Sequence, residues 1–168
     1  MKAEVNLRAK AWVLVALFLL AACSAGAPVR DQRPIAVAVW DLEDLSVHPI
    51  DRIGMGELMA QQIAAHLEGR ADYQVVERQR LLDVMEELHI GSSDLADAST
   101  RLQLGRIIGA RQMVFGAYQA IGASLRLDVR RVDVGTGRVL NTATADAPVD
   151  NPSAWLSAAE QAAEALFP

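Results

Sequence analysis

A single cysteine, Cys23, closes the run Leu20-Ala21-Ala22-Cys23 directly behind an apolar stretch. Lys2, Arg8 and Lys10 supply a basic start, Ala11 to Leu20 an apolar middle, and the alanines a cleavage site, which together make a secretory signal. The pattern is a lipobox. It takes residues 1–22 out of the fold and starts the mature chain at Cys23. About 12 apolar residues precede the cysteine, short of the roughly 20 that a membrane-spanning helix needs. The thiol is required because its sulfur carries a diacylglycerol, after which the freed amine is acylated. Two or more acyl chains, each methylene contributing about 0.8 kcal/mol when buried, hold such a chain to the membrane through its N-terminal lipid. With its one thiol modified, the mature chain has no disulfide, thiolate metal site or nucleophilic cysteine. Ser24, rather than aspartate, follows the anchor and predicts sorting to the outer membrane, with the domain facing the periplasm from the inner leaflet.

The whole chain of 168 residues carries 16 Lys and Arg against 21 Asp and Glu, a net charge of −5. The signal holds three of those cations and one of the anions, so the mature charge is close to −7. An acidic domain is a poor nucleic-acid binder, and no nucleic-acid partner is expected. A hydrophobic fraction of 52% over the mature length suits one globular domain with a real core. The expected organisation is a signal over 1–22, a lipidated tether over 23–33 and a single domain over 34–168. The tether, small, polar and Pro-containing, reaches on the order of 30 Å when extended.

Ile35 to Trp40 alternates β-branched residues with alanines and is apolar on both faces, which predicts a central strand. An acidic turn, Asp41-Leu42-Glu43-Asp44, follows. Helical spacing from Ile53 to Leu67 predicts the first helix, stopped at Gly69. Tyr73 to Val76 reads as a short strand, Leu81 to Leu88 as an amphipathic helix, and Thr100 to Ile108 as a third helix capped by Ser99. Strands are expected at Gln112–Ala120, Leu125–Val134 and Arg138–Ala145, with Gly135-Thr136-Gly137 as a hairpin turn. In Leu125, Leu127 and Val129, and after a register change in Val132 and Val134, apolar residues alternate with charged ones. That pattern predicts a meander wet on one face, with helices on the other. Asn151 to Phe167 is expected as an Ala-rich helix with Asn151 as N-cap and Pro152 at its first position. The fold class is therefore α/β (α+β): a mixed five-stranded sheet in the order β-α-β-α-α-β-β-β-α, with helices packed on it.

The chemical inventory is thin. Gly54-Met55-Gly56 lacks the third glycine of a dinucleotide fingerprint, since Met59 stands there, and reads as a tight helix start. His48, His66 and His89 are scattered, so no metal is expected. Asp41, Glu43 and Asp44 lie at the carboxyl end of the first strand, where open α/β sheets place ligands. They read as a solvated turn, with a small-ligand or hydrolytic site as the alternative. No nucleophile elbow occurs, and neither catalysis nor a cofactor is expected. Val75-Val76-Glu77-Arg78 ends a strand in two adjacent residues of opposite charge where a helix starts. Glu77 favours the helix N-terminus, and Arg78 is expected to reach a carboxylate such as Asp41 or Asp44, with a partner-facing role as the alternative. Tyr118 and Trp155 are expected in the core or in an interface.

Ile35-Ala36-Val37, the glycines at 54 and 56, Val75-Val76-Glu77-Arg78, Leu104-Gly105, Gly109-Ala110, Phe115-Gly116 and Val132-Asp133-Val134-Gly135-Thr136-Gly137 arrive in an order that resembles the CsgG-like family. The resemblance runs from about Pro34 to Thr144 and implies an outer-membrane lipoprotein with a periplasmic α/β domain, similar in architecture to the TolB N-terminal domain. It also implies that Glu77, Arg78, Gly135, Thr136 and Gly137 are structural or interface residues. The family's pore-forming member carries two long membrane hairpins. Here the corresponding positions hold only Ala120 to Ser124 and Pro148 to Pro152, whereas a membrane strand needs about 9–11 residues. The expected function is a lipid-anchored, non-enzymatic protein that serves envelope assembly or secretion through an envelope protein partner. The alternatives are a homo-oligomeric component of a curli-type secretion apparatus, or a penicillin-binding-protein activator or flagellar accessory lipoprotein.

Overall fold

The computed structural model describes residues 33–47, 54–90 and 97–168. Leu20, Ala21, Ala22 and Cys23, most of the tether, and His48 lie outside them. The elements in chain order are β1 (Ile35–Val39), β2 (Glu43–Asp44), α1 (Met55–Glu68), β3 (Tyr73–Val75), α2 (Arg78–Glu87), α3 (Ala98–Ile107), β4 (Gln112–Ile121), β5 (Ser124–Asp133), β6 (Val139–Pro148) and α4 (Pro152–Leu166). The sheet is mixed, in the order β3-β1-β4-β5-β6. β1 is parallel to β3 and β4, and β4, β5 and β6 form an antiparallel meander.

The expected class holds, with one strand more than expected. Glu43 and Asp44, read as a turn, run parallel to Ala117 and Tyr118 as β2. They continue the line of β1 along the longer β4, so charged residues serve here as an edge strand. The third helix is capped by Asp97, whose carboxylate accepts from Ser99 N–H at 2.7 Å, and not by Ser99. Asn151 and Pro152 open α4 as read, the Asn151 side chain accepting from Ala154 N–H.

Helices cover both faces, which corrects the one-sided expectation. On one face α1 and α4 bury Met59, Ile63, Leu67, Trp155 and Leu166 against Val37, Val114, Leu125 and Leu127. Ala158, Ala159, Ala162 and Ala163 lie in the same core as Ala143, Ala145 and Ala147 of β6, small residues that let α4 pack close to its strand. On the other face α2 and α3 bury Leu81, Leu104 and Ile108 against Ala38, Met113, Phe115 and Val132. Each such large apolar side chain contributes about 1.5–3 kcal/mol when withdrawn from water.

The second cover explains the apolar phase change in β5. Pairing with β4 runs unbroken from Phe115 opposite Arg130 to Met113 opposite Val132. Leu125, Leu127 and Val129 face α4, and Val132 faces α3, because a different face is covered at each end of the strand. A pairing shift does fall between Arg131 and Val132, on the β6 side, where Asn141 and Val139 are the partners and Leu140 is passed over. Arg131 lies on the α4 face, its guanidinium 4.7 Å from the Phe167 ring centroid and 3.3 Å from Tyr73 Oη.

Candidate protein interface

Two surfaces gather some of the residues singled out in the sequence. The first lies at the carboxyl ends of β1 and β3. The strand end at Val75 and the start of α2 place Arg78 so that its Nε meets Asp41 Oδ1 at 3.0 Å and its Nη2 meets Asp41 Oδ2 at 2.7 Å. Glu57, in the first turn of α1, joins at 3.3 Å. Hydrogen bonding to Asp41 raises the Arg78 pKa, so the guanidinium stays charged. Arg78 thus ties β1, α1 and α2 together. Asp44 turns instead to the backbone, accepting from Ser46 N–H at 2.9 Å. Glu77 occupies the N-cap position of α2 without a side-chain cap bond and is exposed. With Asp41 and Val39 it lines a groove of ≈ 210 Å³ beside α1. Gly56 lies where an added Cβ would stand 2.1 Å from Leu42 O, so it serves close packing of the helix start, whereas Gly54 takes φ 81° in open space. Among the described residues no group of three His, Cys, Asp or Glu side chains could hold a metal ion.

The second surface is the part of the meander that α2 and α3 leave open, a basin of ≈ 490 Å³. Phe115 forms its apolar floor, with the Arg101 and Arg130 guanidiniums 5.3 and 5.9 Å from its ring centroid. Arg101 also meets Glu43 at 3.2 Å. On β5 the Asp128 carboxylate accepts from Arg126 Nε at 2.9 Å and from Thr144 Oγ1 at 2.8 Å. Those bonds hold its pKa below the usual carboxylate value. Beyond the floor Leu45, Val47 and Ile121 are 59%, 90% and 55% exposed. Leu45 N–H bonds Tyr118 O, and Ala120 N–H bonds Ser46 Oγ, which sets this apolar group beside the end of β4. An apolar strip of Leu45, just past β2, and Phe115 and Ile121 on β4 therefore runs beside a charged and hydroxylated strip on β5 and β6. Sequence reading assigned Phe115 only to a motif, and it missed Arg130 and Leu45. The charged positions of β5 alternate visibly, but their meeting with β2 depends on long-range pairing.

The turn Gly135-Thr136-Gly137 stands apart from both surfaces. The Asp133 carboxylate accepts from Thr136 N–H at 2.8 Å and Thr136 Oγ1 at 2.7 Å, and Gly137 takes φ 71°. Its role in the fold is to close the β5–β6 hairpin. Tyr118 and Trp155 are buried, with ring centroids 6.2 Å apart.

Residues 24–126, more than half of the chain, match the family described as curli production assembly/transport component CsgG. The chain belongs to the CsgG family. No curated protein matches it in sequence. Among solved structures it is similar to the LpoB C-terminal domain from Salmonella enterica, at 13% identity and TM-score 0.58, over 74% of this chain and 87% of that one. Lipoprotein GNA1162 from Neisseria meningitidis is similar at 18% identity and TM-score 0.56, over 70% and 84%. The PelC dodecamer from Paraburkholderia phytofirmans follows at 18% identity and TM-score 0.54, over 80% and 88%. At these identities the likeness is one of fold. In this member of the family β4 passes to β5 through Gly122 and Ala123 alone, and β6 passes to α4 through Val149 to Asn151.

Proposed function

We propose that this protein is a lipid-anchored, non-enzymatic envelope component that works by docking another envelope protein on the open face of its meander. The observation that carries the reading is the pair of exposed residues Leu45 and Ile121 on the face of Phe115, flanked by Arg130 and Asp128. An apolar centre beside orientable charges is the composition of a protein docking surface. Family membership and the Cys23 lipobox support an envelope location, on the outer membrane and facing the periplasm. The short links after β4 and β6 favour a docking role over a membrane barrel, because neither has the length for a membrane hairpin.

The test is crosslinking in the native envelope with a photoreactive residue in place of Ile121, read beside an Arg130→Glu variant. Capture of one envelope protein that is lost on charge reversal is the expected result. Capture of a peptidoglycan synthase or a flagellar protein would name the machine. No capture from this face, with normal capture from the opposite one, overturns the reading. Cys23→Ala separately tests the anchor and is expected to abolish membrane retention; tight membrane association of the processed variant would overturn that part. A second reading, an oligomeric component of a secretion apparatus, draws on the twelve-membered assembly named for PelC and predicts a ring in detergent.

A further inference from the structure

Among the described residues β6 closes one side of the sheet, pairing with β5 alone, and its Thr142, Thr144 and Asp146 are exposed. Several contacts fix which way its backbone points. Pro148, which has no N–H, stands opposite Ser124, Val149 N–H reaches Ala123 O at 2.9 Å, and Thr142 N–H is taken by Asn141 Oδ1 at 2.9 Å. The alternation of an antiparallel ladder then assigns the backbone groups of Asn141, Ala143, Ala145 and Ala147 to β5. Those of Thr142, Thr144 and Asp146 point away from the sheet. Native edge strands of this length are usually guarded by lysine, proline, charge or a bulge. Here the guards stand only at the ends, the pairing shift beside Leu140 and the ring of Pro148. Between them the edge carries small residues and a single charge, Asp146.

We propose that this edge pairs with the same edge of a second copy, antiparallel about a two-fold axis at Thr144. A register with Thr144 opposite Thr144 overlaps the whole regular stretch from Asn141 to Ala147. Each Thr144 N–H then donates to the other copy's Thr144 carbonyl, and each Asp146 N–H donates to a Thr142 carbonyl. Asp146 meets the Thr142 hydroxyl, and Ala143 meets Ala145, so the residues paired across the edge are small. Sliding one way sets Thr142 opposite Pro148, whose ring carries no N–H, and sliding the other way sets Asp146 opposite Leu140 at the irregularity. Apart from the Thr142 N–H, which Asn141 holds, and the Asp146 carbonyl opposite it, the outward groups close on themselves, as an isologous contact requires, and this favours a second copy over an unrelated strand. The open faces of the two copies then form one continuous surface.

The test is the mass of the full lipidated chain in detergent, measured by light scattering. A dimer is expected, with Thr144→Pro weakening association about tenfold or more while the circular dichroism is retained. Should that variant fail to fold, Thr144→Cys decides, since Cα atoms about 5.5 Å apart in a hydrogen-bonded pair lie within disulfide range. Oxidation is expected to link Thr144→Cys chains in pairs and to leave Asp146→Cys unlinked. A monomer at all concentrations, equal linking at both positions, or a ring with Thr144→Cys unlinked would overturn the proposal.

Discussion

Asp41 and Arg78, 37 residues apart in the chain, meet through two hydrogen bonds of 2.7 and 3.0 Å that bind the end of β1 to the start of α2. Both side chains are over a third exposed, at 47% and 35%, so water screens the pair. A double-mutant cycle with Asp41→Asn and Arg78→Ala is expected to return a coupling of about 0.5–1 kcal/mol in urea unfolding. A coupling of zero would reduce the pair to a surface contact.

Gly56 and Gly69 stand at the two ends of α1 and should respond oppositely to alanine. At Gly56 a methyl group would enter the Leu42 carbonyl, and Gly56→Ala is expected to cost about 3 kcal/mol or to displace the helix start. A Cβ added at Gly69, which is in the right-handed region at φ −78°, would meet nothing within 4 Å. Gly69→Ala should be neutral or stabilise by up to about 1 kcal/mol, by removing freedom from the unfolded chain. Denaturant midpoints of the two variants give the comparison.

Trp155 is fully buried, and its Nε1–H donates to Pro148 O at 2.9 Å. Trp155→Ala should cost about 3–5 kcal/mol, enough to unfold a marginal domain at growth temperature. Trp155→Phe should lose less, retaining the ring but not the bond that ties α4 to the end of β6. Thermal melts of both variants check the order.

Asp133 and Asp128 create an acid limit. The Thr136 hydroxyl and N–H lower the Asp133 pKa, and the Arg126 guanidinium, followed by Thr144, lowers that of Asp128. A carboxylate held below its unfolded value of about 3.9 adds stability above that pH, and the contribution is lost as pH falls through the folded value. Wild type should therefore lose more of its urea midpoint between neutral pH and pH 3 than Asp133→Asn does. Parallel curves for the two proteins would remove Asp133 from the account.

Much of the fold was legible from local pattern. The alternation in Ile35 to Val39, the helical spacing behind Gly54 and the glycines around Thr136 each reflect energies acting over a few residues, and those elements stand close to where they were read. The start of α3 was read two residues late because Asp97 and Ser99 are both good caps, and only the backbone path selects the carboxylate. β2 was not legible at all, since Glu43 and Asp44 have poor strand propensity and are held by long-range pairing with Ala117 and Tyr118 of β4. At the candidate interface, Glu77 and Arg78 stood out as charges after an apolar strand, whereas Arg130 looked like any solvent-facing arginine.

What the sequence alone determined is the set of elements other than β2, and their hairpin closure, because propensity, capping and turn chemistry act between neighbours. Tertiary structure decided the rest: that Arg78 takes Asp41 and not Asp44, that β5 changes its buried face between Val129 and Val132, and that Phe115 floors an open basin. Each of these joins segments far apart in the chain, where the outcome depends on which helix reaches which face of the sheet. The same holds for the unguarded edge at Thr144. Its residues are unremarkable in sequence, and their meaning comes from standing last in the order β3-β1-β4-β5-β6.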